Sequence, residues 1–185
     1  LRYARNDKTK LCPITTVLVY YTQMNTPTFT REQELLKQGY ARIVGVDEAG
    51  RGAWAGPIVA AAVVLPDKIV ELDLDIRDSK KLSAKKRERL AQEIKKIAIS
   101  YNVTLIQSKH IDSAGIQKAN IQVIEKASEK LQPDYLLIDG LRARLDTDCP
   151  HELITRGDSK VLSIAAASIL AKTYRDAIMI EYHKT

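Results

Sequence analysis

From Val161 to Ala171 the chain is apolar almost all the way round a helix, with only Ser163 and Ser168 interrupting. A helix without a polar face cannot lie on a surface; it has to be enclosed. It belongs to a helix expected over about Ser159 to Tyr182, so the fold must supply layers that cover it. The 185 residues suffice for one domain with a sizeable core.

The covering layers are legible as alternating elements. Ile43 to Asp47 and Ile58 to Leu65 read as buried strands, the second ended by Pro66. Ser83 is placed to cap a helix whose apolar positions are Leu90, Ile94, Ile97 and Ala98. Tyr101 to Gln107 is a third strand. Val123, Ile124, Ala127 and Leu131 share one face of a second helix, ended by Pro133. Tyr135 to Ile138 is a short apolar strand, and Glu152 to Thr155 a fifth. Thr30 to Gln38 reads as a short helix with Thr30 as its cap and Gly39 as its stop. Strands alternating with helices predict an α/β layered domain over residues 31–185. Residues 1–30 stand apart as an extension of unassigned role, with a β-prone stretch at Thr15 to Tyr21 and a turn at Asn25 to Thr28.

Composition narrows the function classes. Apolar residues make up 45% and charged residues 28%, an ordinary globular balance. The net charge of +6 favours an anionic partner such as nucleic acid. Cys12 and Cys149 form no CxxC or CxxH spacing, which argues against a zinc site or a disulfide framework. The longest apolar run, Ile58 to Pro66, is far short of the roughly 18 residues a membrane span needs. A cytoplasmic setting and no membrane partner are expected.

Chemistry is expected where carboxylates sit at the ends of elements. Asp47-Glu48 lies where an apolar strand meets a glycine-rich turn. Adjacent strand residues point to opposite faces, so both can serve one site only if the strand ends or bends at Glu48, which Gly50 would allow. A solvated loop is the plainer reading. Asp139-Gly140 follows an apolar strand directly, where α/β sheets gather ligand sites, and reads equally as a turn. Asp158 heads the buried helix, where an N-cap is the simplest reading. No cysteine or histidine accompanies the three, and His110, His151 and His183 lie elsewhere. An all-oxygen site would select hard cations such as Mg²⁺ or Mn²⁺, and two such ions are suited to phosphodiester cleavage. Gly50-Arg51-Gly52 offers backbone that could approach a sugar–phosphate closely, or a plain turn.

These motifs, in this order, resemble ribonuclease HII. The stretches are Val46 to Gly52 with Ala55 to Ala62, then Asp78 to Ser83, then Tyr135 to Gly140, then Gly157 to Lys160 with Ser163 to Lys172. Ile111-Asp112, Gly115-Ile116 and Ala119-Asn120 resemble the family's middle segment. The resemblance implies a ribonuclease H-like fold, a mixed central β-sheet flanked by helices. It implies a site of four carboxylates, Asp47, Glu48, Asp139 and Asp158, as catalytic metal ligands for two Mg²⁺ or Mn²⁺ ions. It further implies substrate contacts from Gly50, Arg51, Gly52, Lys80 and Lys160, with the backbone of the glycine loop reading the ribose 2′-OH. Asp176, though acidic and near, is expected to be structural. The implied activity is endonucleolytic hydrolysis of the RNA strand of RNA–DNA hybrids and cutting at ribonucleotides embedded in DNA, leaving 3′-hydroxyl and 5′-phosphate ends, as in ribonucleotide excision repair. The protein is expected to be a monomer, with a replication-clamp contact left open. A C-terminal tail bearing a stacking tyrosine is expected to be missing, and neither Tyr174 nor Tyr182 is given its role. The rivals are ribonuclease HIII within the fold, and a hybrid-binding module without catalysis.

Overall fold

The computed structural model describes residues 26–71, 76, 82–140 and 145–184. The β-prone stretch at Thr15 to Tyr21, Cys12, Lys80 and most of the Asp78 to Ser83 motif lie outside the described residues.

Five strands form one mixed sheet: β1 (Ile43–Ala49), β2 (Ile58–Val64), β3 (Ser100–Ile106), β4 (Tyr135–Asp139) and β5 (His151–Ile154), in the order β3-β2-β1-β4-β5. The β1–β2 and β2–β3 pairs are antiparallel, and β1–β4 and β4–β5 are parallel. All seven residues of β2 are buried, as a strand covered on both faces requires. The helices are α1 (Thr30–Lys37), α2 (Ala84–Ile97), α3 (Ser108–Ala114), α4 (Ile116–Glu129) and α5 (Leu162–Lys184), with 3₁₀ turns at Asp67–Glu71 and Gly157–Ser159.

Strand alternation divides the core. Val44, Val46, Ala60, Ala62 and Ile138 face α4 and pack on Val123, Ile124 and Ala127. Val59, Ala61 and Val63 face the other way, onto α2 and α5. Ile43 and Leu137 share that second side with Leu35, Val161 and Ile164. The apolar helix is enclosed as expected: Ser163 through Ala171 are all buried. It crosses β1 so closely that a Cβ on Gly45 would overlap Ser163.

Several boundaries differ from the sequence reading. The N-cap of α1 is Phe29, not Thr30, and no side chain caps it. Phe29 is fixed by burial, and the Thr28 backbone bridges Val161, so both belong to the packed domain. The Ser83 cap is present, accepting from Lys86 N at 3.3 Å. Helix α4 ends at Glu129, leaving Leu131 outside it but buried. Gln132 takes a left-handed φ of 48°, so the chain has already turned before Pro133. Asp158 is not an N-cap: it lies in the Gly157–Ser159 turn, and α5 starts at Leu162. A free amide at that buried helix start is instead met from a distance, Ser163 N donating to Glu32 Oε1 at 2.8 Å.

Candidate active site

The parallel β1–β4 ladder pairs Val46 with Ile138, so the next residues, Asp47 and Asp139, come side by side. Both lie on the α5 side, two positions after Gly45 and Leu137 respectively. The 3₁₀ turn after β5 brings Asp158 to the same place. One carboxylate oxygen from each of Asp47, Asp139 and Asp158 lies within 4.8 Å of the others. Asp47 and Asp158 are buried. Gly157 N donates to Asp139 Oδ1 at 2.6 Å, and a Cβ on Gly157 would press on Ile164, so glycine lets the turn close over the strand end.

Asp47 is held at an electrostatic cost. Burial pushes the Asp47 carboxyl well above its ordinary range, and the neighbouring Glu48 and Asp139 charges push it further. Hydrogen bonds from the Ser168 hydroxyl and from Glu48 N, the latter at 2.7 Å, offset only part of this.

Glu48 stands apart from the three. The β1–β2 ladder runs on through Ala49, so the strand neither ends nor bends at Glu48. Its side chain therefore leaves on the α4 side, below the same cleft. Burial raises it to about 7, Arg51 opposes the shift, and Asp139 adds to it. Arg51 Nη1 is 3.9 Å from Glu48 Oε1. The Asn120 amide, buried on α4, is near enough to favour the charged form of Glu48, yet neither of its ends reaches hydrogen-bonding geometry. Glu48 Oε2 is buried without a partner as well.

The bend comes after the strand, at Gly50, where φ is +108° and a Cβ would meet Arg175 and Pro57 O. Arg175 staples this loop to α5, Nε donating to Pro57 O at 3.0 Å and Nη2 to Ala55 O at 2.8 Å. Gly52 differs: a Cβ there would meet open space. Gly50 is thus required by the fold, and Gly52 leaves room above the backbone.

The cleft is lined by Asp47, Glu48, Asp139, the Ala49 to Gly52 loop, Ser168 and Lys172. Lys160 is exposed beyond the 3₁₀ turn and does not line it. Asp176 accepts from Arg87 Nη2 at 3.0 Å and Lys172 Nζ at 2.6 Å, a structural setting as expected. Ser168, Lys172, Arg175 and Asn120 went unassigned from sequence. The first three recur at helical spacing on α5, and that polar stripe on an otherwise apolar helix was the available signal.

Known proteins agree with this frame. Residues 44–185 match the family model for ribonuclease HII. A ribonuclease HII of Clostridium botulinum is 51% identical over 146 residues, covering 77% of this chain and 54% of that protein. The crystal structure of ribonuclease H2 from Pyrococcus horikoshii superposes with a TM-score of 0.70 at 26% identity, covering 78% of this chain and 77% of that one. That of the PCNA:RNase HII complex from Archaeoglobus fulgidus gives 0.68 at 28% identity, over 77% and 75%.

The chain belongs to the ribonuclease HII family. Its mixed sheet with flanking helices is the ribonuclease H-like fold. It spans about half the length of the Clostridium relative it matches. Among the described residues, no helix is long and apolar enough to cross a membrane.

The residues present suit a hard divalent cation. The donors are all oxygen and converge from three separate elements. The unpartnered Glu48 Oε2 is a further oxygen at the rim.

Proposed function

We propose that this chain carries the catalytic site of an endoribonuclease that hydrolyses the RNA strand of RNA–DNA hybrids and cuts at ribonucleotides embedded in duplex DNA. The observation that carries the reading is the trio Asp47, Asp139 and Asp158, whose carboxylate oxygens converge within 4.8 Å from two strands and the 3₁₀ turn, in a chain of this family.

Asp47, Asp139 and Asp158 would hold Mg²⁺ or Mn²⁺, and Glu48, which lines the same cleft from the opposite face at the sheet's end, would serve a second ion. Such ions supply Lewis-acid chemistry at a phosphodiester, activating water and offsetting charge on the leaving oxygen. The protein groups do the positioning. Ser168 fixes the Asp47 carboxylate, and Gly157 N fixes Asp139. Arg51 places a cation on the loop beside the cleft, suited to a phosphate. The open space over Gly52 admits a ribose to the backbone, where a 2′-hydroxyl can be read. Lys172 lines the cleft and adds positive charge toward the strand. The products carry 3′-hydroxyl and 5′-phosphate ends. The setting we infer is cytoplasmic removal of ribonucleotides from DNA.

The test uses two duplexes, one with a continuous RNA strand and one with a single ribonucleotide in DNA, each with and without Mg²⁺ or Mn²⁺. Cutting of both, dependent on the cation and lost in Asp139→Asn, is expected. Binding of the hybrid without cation-dependent cleavage would instead identify a non-catalytic binding module.

A further inference from the structure

Glu48 presents a problem of reach. It lies between Asp47 and Ala49 in a continuous ladder, so its side chain departs on the α4 side while the other three acids meet on the α5 side. To contribute to their site it must be held at the sheet's end. Its ion-pair partner Arg51 is 3.9 Å away on an exposed loop side chain and cannot fix it closely.

Helix α4 brings one polar side chain to this spot. Asn120 is 1% exposed, flanked by the fully buried Ala119 and Val123. Asparagine is a poor helix former, and a buried polar amide in an apolar helix face weakens the fold unless something meets it. Both its ends, Nδ2 and Oδ1, lack hydrogen-bond partners among the described residues, and so does Glu48 Oε2, which leaves β1 on the face that α4 covers. A donor-bearing amide and a carboxylate oxygen, both buried and both unmet, are complementary.

We propose that Asn120 is a positioning residue whose Nδ2–H donates to Glu48 Oε2 and holds that carboxylate at the rim of the cation site. This rests on the reading of Glu48 as a ligand. The contact couples α4, on the far side of the sheet, to a site whose other acids are set from the α5 side. Asn120 touches neither substrate nor cation; it acts through Glu48.

The test is Asn120→Leu in the full chain, alone and combined with Glu48→Gln. Leucine keeps the branched four-atom side chain and removes a buried amide, so the melting temperature without cation should change little. Loss of a residue that orients a metal ligand typically costs about 10–100-fold in affinity or activity. Mn²⁺ affinity by calorimetry and kcat should each fall by about that factor, with KM for the hybrid little changed. In the Glu48→Gln background, Asn120→Leu should add no further loss. Asn120→Asp, which swaps the donor for a repelling charge, should lose at least as much as Asn120→Leu. The proposal is overturned if Asn120→Leu matches the wild type in Mn²⁺ affinity and kcat, or if its loss is undiminished beside Glu48→Gln. A wild type that neither binds Mn²⁺ nor cleaves would overturn the functional reading itself, and this proposal with it; the unsubstituted chain alone decides that.

Discussion

Asp47 and Asp176 are served by the same helix and live in opposite electrostatic worlds. Asp47 takes hydrogen bonds from Ser168 on α5 and from Glu48 N, and faces the charges of two acids, Glu48 and Asp139. Asp176 lies about two turns further along α5 and is gripped by Arg87 and Lys172. In the first case burial and like charge leave negative charge unmet inside the fold. In the second the fold meets its own charge. An acid satisfied by the protein has little left for a ligand, whereas a buried acid raised by burial and like charge gains from a cation. This contrast, more than acidity or closeness to the cleft, separates the site from its surroundings.

The largest test of the contrast is to neutralise a member of the cluster. Asp47→Asn or Asp139→Asn should lower kcat by about a thousandfold or more, since a catalytic cation contributes several kcal/mol at about 1.4 kcal/mol per tenfold. The same change should leave the cation-free protein as stable or more so, because it removes a buried, repelled charge. Loss of activity together with a lower melting temperature in both variants would show that these acids are needed by the fold.

Next comes pH. Asp47 and Glu48 have folded pKa values raised above their unfolded ones, so they favour folding when protonated. Without cation, that contribution is intact below about pH 4 and lost as pH climbs through the raised values, about 7 for Glu48. Glu48 alone corresponds to roughly 3 kcal/mol at about 1.4 kcal/mol per unit. At roughly 2–4 °C per kcal/mol, the melting temperature should fall by several degrees between about pH 5 and pH 8. Millimolar Mn²⁺ should flatten most of the slope. Glu32, also raised by burial but not one of the converging acids, should keep its share under Mn²⁺, and Glu32→Gln should remove that remainder. A cation-free protein that melts higher at pH 8 than at pH 5 would contradict the account of the cluster.

How much of this could be read from the chain follows from the range of each interaction. Asp47 and Asp139 were visible because an apolar strand runs straight into each, and Asp158 because it heads the one helix that must be enclosed. Periodicity also showed that Asp47 and Glu48 oppose each other. It could not show that the ladder would continue and leave them opposed, because that depends on pairing with Ala60 and Val59. The supporting groups were beyond any local window. Glu32 reaches Ser163 across 131 residues of sequence, and Arg175 reaches Pro57 across 118. Ser168 and Asn120 look like ordinary helix positions until packing brings them to a carboxylate. The two glycines of the turn were alike in sequence, and only the neighbouring Arg175 makes Gly50 obligatory while Gly52 stays open.

The smallest effect sharpens the comparison from its other side. Asp176→Asn keeps the shape of the side chain and removes its charge, loosening its ties to Arg87 and Lys172. Both partners are only partly buried, so solvent already screens the pairs, and a loss of about 1 kcal/mol is expected. That is a drop of roughly 2–4 °C in melting temperature for a chain of this size. The difference from wild type should shrink in high salt, which screens exposed pairs. Cleavage of the hybrid should be unchanged, because the charge of Asp176 is spent within the fold. Lys172 makes the measurement informative, since its ammonium both lines the cleft and binds Asp176. If kcat/KM for the hybrid rises in Asp176→Asn, Asp176 holds Lys172 back from the strand. If it falls, Asp176 aims Lys172 toward it. Either result would move Asp176 from the satisfied side of the comparison to the functional one.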